Sequence, residues 1–471
     1  MHLILLIANL IAKLQPFMKQ LICIIFALAT WDIIFAQQKN LLQNFKYRVD
    51  NYKALNLSIG GGTNIYKESN YDKPNKNLGS NIGAAIDILT SKDTRITNGY
   101  LNINASVIKG KSDPFQSITY QQLGTGANTN LFFTNKWYKK KKFIELNTYF
   151  FGNTNSLKSK STGIVNLKVM KNSAYNFFTV IGVGRGRLEN ITDMQNALWL
   201  NKSLMEDNNL SRKLKDEELN SLAKSITKGK NTRVLDVRRR TKYVLKTVDN
   251  YLQEKGVVKK TDIDYFNNLN DNLFFANNNE RLCGSEFYFR IIPTFNGSNS
   301  NGFINLSSFK NIFNQESTSI SANLGYQKFE PQSLIHQNNY GVKFNFTSSK
   351  YSDIDKNLAN NIVFVNSENK YNLLQFGPEL FFEHAIYPST RTIFNFRTDI
   401  NFGKQIINKL KQNFSKVDLR ADASYFINYR TRLSANVGLA YSQNQFYTNQ
   451  NNPILPTRFF ASANINLNIN L

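Results

Sequence analysis

Cysteine is almost missing from this 471-residue chain, which has 2, Cys23 and Cys283. Cys23 falls in an apolar leader, so the remainder carries a lone thiol. That excludes an intrachain disulfide framework and any cysteine-built metal site, and Cys283 reads as inert. Histidine is nearly as scarce, with 3 residues, His2, His336 and His384. No HExxH, GxSxG or cluster of metal-ligand residues occurs, so no catalytic residue, metal or cofactor is expected and the chain is read as a non-enzyme. Beyond the leader no stretch approaches the ~20 apolar residues of a membrane helix. A bilayer protein of this composition therefore has to cross with strands. Acidic residues are outnumbered, 33 Asp+Glu against 58 Lys+Arg, for a net charge of +25. The basic residues are scattered and no nucleic-acid motif accompanies them. They read as lysine-rich turns over acidic lipid headgroups, Lys139–Lys142 being one, and not as a nucleic-acid surface.

What the chain does have is alternation. Phe459 to Leu471 (FFASANINLNINL) places Phe459, Ala461, Ala463, Ile465, Leu467, Ile469 and Leu471 on one face and Ser462, Asn464, Asn466, Asn468 and Asn470 on the other. This is a β-strand with an oily and a wet side. The same period recurs at 82–88, 101–107, 144–150, 320–326, 342–346, 394–402, 417–423 and 433–439, and less tidily near 55–66, 122–134, 162–171, 175–188 and 287–291. The reading is an all-β transmembrane antiparallel barrel of roughly sixteen strands, within about fourteen to eighteen. The first part of the barrel is assigned to 54–189 and the second to 284–471, after a lead-in at 37–53.

Between them the period changes. Leu219, Leu222, Ala223 and Ile226 keep helical spacing behind Asp216, Glu217 and Glu218; Leu245, Val248, Tyr251 and Leu252 do so before Gly256. A helix starting at Thr261–Asp264 and another at 193–206 complete a small inserted helical bundle, 190–283. Counting back from the end, the tight turns at Tyr387–Ser389 and Tyr429–Thr431 fall on the periplasmic side and the stretches 351–370, 404–415 and 446–456 read as longer outer connections. That parity places the insert outside the cell.

Residues 18–36 (MKQLICIIFALATWDIIFA) read as a secretory signal peptide cleaved after Ala36, with Asp32 as a blemish and Met18 a better start than Met1. The leader is taken as 1–36. Cys23 lacks the small residues that precede a lipoprotein cysteine.

The chemistry lies on the wet face of the late strands: Glu379, Glu383, Arg397, Asp399, Asp418, Arg420 and Asp422. Charges of both signs on neighbouring strands build either a solute-selecting constriction or an ion-pair lattice that stiffens the lumen, and the sequence leaves both open. Gly182–Arg187 lacks the spacing of a phosphate loop; its glycines suit a bend or close backbone approach at the wall, with Arg185 and Arg187 on one face, set to pair with carboxylates of the insert. Arg238, Arg239 and Arg240 read as a solvated helix face, one arginine packing on the bundle. His384 alternates with Phe382 and Ile386 on the lipid side, and His336 lies in a connection; a barrel enzyme would need His384 turned inward beside a carboxylate.

The terminal strand resembles the C-terminal signal of outer-membrane β-barrel proteins, with Leu471 where those usually end in an aromatic. With the leader and the alternating strands, nearly all of the mature chain resembles such barrels of Gram-negative bacteria. The strand–helical insert–strand layout is similar to porin-like, uncharacterised ones, from which no functional residues carry over. The resemblance implies export to the cell outer membrane, contact with its lipid and lipopolysaccharide, and insertion by the outer-membrane assembly machinery through the C-terminal strand. Two functions stay open: a porin-like channel for small polar solutes with the insert as cap or gate, or a non-conducting barrel that anchors the insert for a protein partner in adhesion, secretion or envelope organisation.

Overall fold

A computed structural model describes residues 36–66, 75–115, 118–162, 166–232, 237–274, 280–304, 309–359, 362–408, 410–428, 431–446 and 457–469. Residues 1–35 of the expected leader, the turn residues 429–430, residues 447–456 of the expected connection and Leu471 lie outside the described residues.

The chain opens with helix α1 (Ala36–Asn44) and then runs up and down through one 14-stranded antiparallel sheet in which every strand pairs with its neighbours in sequence. The strands are β1 (Val49–Tyr66), β2 (Asn75–Ser91), β3 (Arg95–Phe115), β4 (Ile118–Lys139), β5 (Lys142–Thr162) and β6 (Asn166–Asn190). After the insert come β7 (Leu282–Ile304), β8 (Phe309–Pro331), β9 (His336–Ala359), β10 (Ile362–Ile386), β11 (Thr392–Ile407), β12 (Leu410–Asn428), β13 (Thr431–Phe446) and β14 (Thr457–Ile469). This is the expected all-β antiparallel transmembrane barrel class, at the low end of the expected strand count.

The outer face shows why these residues form strands. Leu55, Leu57 and Ile59 on β1, Ile144 and Leu146 on β5, Ile181 and Val183 on β6, and Val342, Phe344 and Phe346 on β9 recur at every second position and stand exposed. Ile59 is 85 % exposed, Ile144 60 % and, on the terminal strand, Ile465 78 %. Apolar exposure on this scale is unstable in water and is what a lipid-facing wall requires. The sheet curls so that strands far apart in order meet on its inner side. Arg48, just before β1, bonds Glu189 at the end of β6 at 2.9 and 3.1 Å and Asp93 of the β2–β3 turn at 2.5 Å.

The dry core lies elsewhere. Helices α2 (Thr192–Glu206), α3 (Asp216–Lys230), α4 (Val237–Glu254) and α5 (Ile263–Phe274) match the expected insert. Leu200, Leu204, Leu222, Ile226, Val248, Leu252 and Leu269 form one buried cluster, which also takes in Leu42 and Phe45 of the N-terminal segment and Cys283 and Leu334 of the barrel rim. The acidic start of α3 works as read: Glu218 accepts from the Lys215 backbone N–H at 2.8 Å and from Arg212 at 2.7 and 2.8 Å. Those bonds hold its carboxyl well down, at about 2.

Five expectations are corrected. The runs 162–171 and 175–188 are not two strands: β5 ends at Thr162 and a single β6 runs 166–190, which removes one from the count. The described parts of 351–370 and 404–415 are almost all strand, the paired ends of β9 and β10 and of β11 and β12, because polar residues above the oily band keep pairing without apolar alternation. For the same reason His336 begins β9 and is not in a connection. The lead-in holds α1, too short and polar to show a helical stripe. Finally, the insert joins β6 to β7, the same end of the sheet as the β10–β11 turn at 387–391 and the β12–β13 turn, which is opposite to the side the strand parity gave.

The glycines before the insert do serve close approach. Gly186 and Gly284, which face Glu286 and Leu188 across β6 and β7, have φ +114 and +121. A Cβ on Gly186 would sit 2.0 Å from the Ser285 carbonyl oxygen. Gly186→Ala is expected to cost about 1–3 kcal/mol through strained backbone. The check is the urea midpoint of the refolded protein, followed by loss of the heat-modifiable band on a gel; an unchanged midpoint contradicts this account of the junction.

Candidate functional site

The inner wall carries a belt of charge just inside the end that holds the insert. On β5, Glu145 is 0 % exposed; it takes the Arg290 guanidinium of β7, with Nη2 to Oε2 at 3.3 Å, and lies 3.6 Å from Lys136 Nζ of β4. Lys136 donates at 2.8 Å to both oxygens of Glu286, which is 1 % exposed and also accepts from Gln327 at 3.3 Å. Two carboxylates and two cations thus balance, as burial demands. Arg290 lies 3.7 Å over the Tyr288 ring and Lys136 4.7 Å over Phe143. Lys136, Glu145, Glu286, Tyr288 and Arg290, with Tyr138, Tyr149, Asn323 and Lys343, line a cavity of about 410 Å³.

The late-strand residues continue the belt. Glu379 is held by Lys343 and Asn345, both at 3.0 Å. Glu383 accepts from Asn339 at 2.7 Å and lies 3.6 Å from Arg397, its register partner. Arg397 forks onto Asp399 with two 2.8 Å bonds. Register sets Arg397 opposite Arg420 and Asp399 opposite Asp418, like charge facing like. The pairs therefore run along the strands there, Arg397 to Asp399, Lys416 to Asp418 at 2.6 Å and Arg420 to Asp418 at 3.9 Å, and not as the expected ladder. Asp422 sits between Asn395 and Asn436 in register.

The two early arginines separate. Arg185 shares the outer face with Ile181 and Val183 and is exposed, so it is not a lumen residue. Arg187 lies across the kink at Gly186. It pairs with Glu189 at 2.7 Å and donates to the backbone carbonyls of Lys92 and Asp93, both at 2.9 Å. It fastens the β2–β3 turn and does not reach carboxylates of the insert. His384 keeps to the outer face with Leu380 and Phe382 and meets Asn338 at 2.7 Å and the His336 ring at 5.5 Å.

The insert and α1 pack on the turns at the end of the sheet beside the belt. Lys39 of α1 reaches Gln332 at 2.9 Å and Glu330 at 3.6 Å, so the segment before β1 crosses to the β8–β9 turn. Tyr47 accepts from Asn231 at 3.0 Å, and Arg240 of α4, the arginine that packs on the bundle, caps α3 through the Lys230 carbonyl at 2.8 Å. In α2, every residue from Thr192 to Leu200 is buried; Asp193 binds Lys230 at 2.9 Å and Thr227 at 2.8 Å.

Arg281 fixes the junction. It is fully buried, and its guanidinium donates to Gln337 Oε1 at 2.7 Å and to the carbonyls of Leu334, Ser333 and His336 at 2.7, 2.6 and 3.0 Å. The Tyr387 ring lies 4.7 Å away. Burial lowers its pKa to about 10, still cationic at neutral pH. The sequence offers little to single it out: an arginine at the end of a polar run reads as surface until the β8–β9 turn folds over it. Lys136, Glu145, Glu286, Arg290 and Lys343 were legible as polar-face positions of alternating strands, but their convergence depends on register.

No protein-family model and no curated protein matches the sequence. Among solved structures, the chain is similar to the β domain of the Bordetella autotransporter BrkA, at 8 % identity over 78 % of this chain and 98 % of that one, with a TM-score of 0.24. It is also similar to a deltaS2 mutant of the TodX monoaromatic hydrocarbon channel, at 7 % identity over 91 % and 92 %, TM-score 0.25. Both are β-barrels, and the fold described above stands on the strands and their oily belt.

Arg281→Met leaves three carbonyls without their donor, at about 1.5–3 kcal/mol for each bond to a charged group before relaxation. A net loss on the order of 3 kcal/mol at the junction should speed proteolysis of the insert in the folded barrel by on the order of a hundredfold. Cleavage at the wild-type rate contradicts the latch.

Proposed function

We propose that the protein is an exported outer-membrane channel for small polar solutes, with the charged belt as its selective constriction and with α1 and the insert as a cap over the adjacent mouth. The observation that carries this reading is the balanced cluster of Lys136, Glu145, Glu286 and Arg290 on the wall of an open cavity behind that cap. Barrels of about eight strands are filled by their own side chains, whereas 14 leave a lumen that has to be filled, plugged or wet. Rings of charged side chains select ions in such lumens. The cap lies with the tight turns, which are periplasmic in barrels of this kind, while the polar hairpins at the other end stand where outer loops do. The proposal includes a cleaved leader, a Gram-negative envelope, delivery by the assembly machinery and no catalytic role.

The second reading, a barrel that anchors the bundle for a protein partner, draws on α5, where Ile263 is 78 % and Phe266 48 % exposed. An apolar surface on a fixed helix suits a partner better than a moving gate.

Reversal potentials across a salt gradient, measured on protein with the cap opened by deletion of the insert, test the belt. The Lys136→Met and Arg290→Met double variant is expected to shift selectivity toward cations, and Glu145→Gln with Glu286→Gln toward anions. Selectivity unmoved by both pairs removes the belt from the conduction path.

A further inference from the structure

The end of the sheet away from the cap carries a second charged feature, on the outside. By strand alternation, Lys76 on β2 shares the outer face with Leu78 and Ile82; Lys109 and Lys111 on β3 share it with Ile103 and Val107, all of these apolar residues exposed. Register brings them together. Lys76 faces Lys111; Lys109 faces Leu123 of β4, which faces Lys158 of β5; Lys111 faces Gln121, which faces Lys160. Ser156 of β5 then faces Lys171 of β6. Six exposed ammonium groups lie on β2, β3, β5 and β6, four of five adjacent strands, with Leu78, Leu123 and Val169 among them. Among the described residues, Lys76, Lys109, Lys158, Lys160 and Lys171 form no ion pair.

Depth tells what meets them. Trp137, 40 % exposed on the outer face of β4, marks the aromatic border near the capped end. From Trp137 to Leu123, at about 3.3 Å per residue and about 45° of tilt, is roughly 33 Å along the membrane normal. The oily band of such barrels is about 25 Å tall, so the lysine rows lie just beyond it, at headgroup level. The other half of the sheet differs. There Lys370 pairs with Glu368 at 2.6 Å, and Glu316 lies on the same face.

We propose that the outer ends of β2 to β6 form a docking surface for phosphorylated lipid headgroups of the leaflet at this end, lysines on the phosphates and Leu78, Leu123 and Val169 against the first methylenes. The inference rests on the barrel and its band and stands whether or not the lumen conducts.

The test uses the refolded full-length protein in detergent and measures binding of bisphosphorylated lipid A against the same lipid with its phosphates removed. Lys109, Lys111, Lys158 and Lys160 are changed together to Gln; Lys310, Lys350, Lys356 and Lys370, changed together to Gln, are the control. At about fivefold per lysine near an anionic surface, the first set should weaken binding by roughly several hundredfold. The control should change it little, and the same four residues changed to Arg should keep it. Heat-modifiability of each variant confirms folding. Equal binding of the dephosphorylated lipid, equal loss in both sets, or displacement of the lipid by an oligonucleotide or inorganic phosphate at matched phosphate concentration would each overturn the proposal.

Discussion

Everything in this molecule follows from strands that must satisfy two solvents at once. A peptide group in hydrocarbon has no water to bond, so the chain pairs each strand with the next through fourteen strands. One face then has to be oily and the other wet, which is why isoleucines and phenylalanines stand exposed while glutamates and arginines are buried. The usual soluble order is turned inside out in the wall. Only the helical insert keeps it, and there the apolar cluster is dry.

That division places the demanding chemistry at the join. The insert leaves β6 and returns to β7 where two glycines of positive φ let the strands meet closely, and Arg281 spends its whole guanidinium on turn carbonyls and one amide. Arg48 and Arg187 do similar work on the other side of the mouth, tying the β2–β3 turn to the end of β6. Arginine suits these sites because one planar group bonds several acceptors in fixed directions. The result is a helical bundle seated on the rim, at the same end as a belt whose own charges are paired.

How much was legible follows the same physics. Alternation is a local property, so 82–88, 417–423 and the terminal strand read correctly, and helical spacing found α2 to α5 to within a few residues. Strand continuity is not local: 162–171 and 175–188 fall almost wholly on the single strand β6, whose polar outer half shows no oily period, while the side of the insert rests on the parity of the strands that follow it. The wet face of β10 to β12 was visible, yet whether Asp418 meets Arg420 beside it or Arg397 across from it depends on register. Arg187 was picked for the right neighbourhood and the wrong partner, since only the folded turn supplies the carbonyls it holds.

The central claim is that a wettable lumen lies behind a seated cap. The most direct measurement is planar-bilayer conductance of the refolded full-length protein beside a version lacking residues 192–280, with the ends of β6 and β7 joined by a short linker. The account predicts small or absent conductance in the first and steady, larger channels in the second. Silence in both, with folded barrels in the membrane, would contradict it.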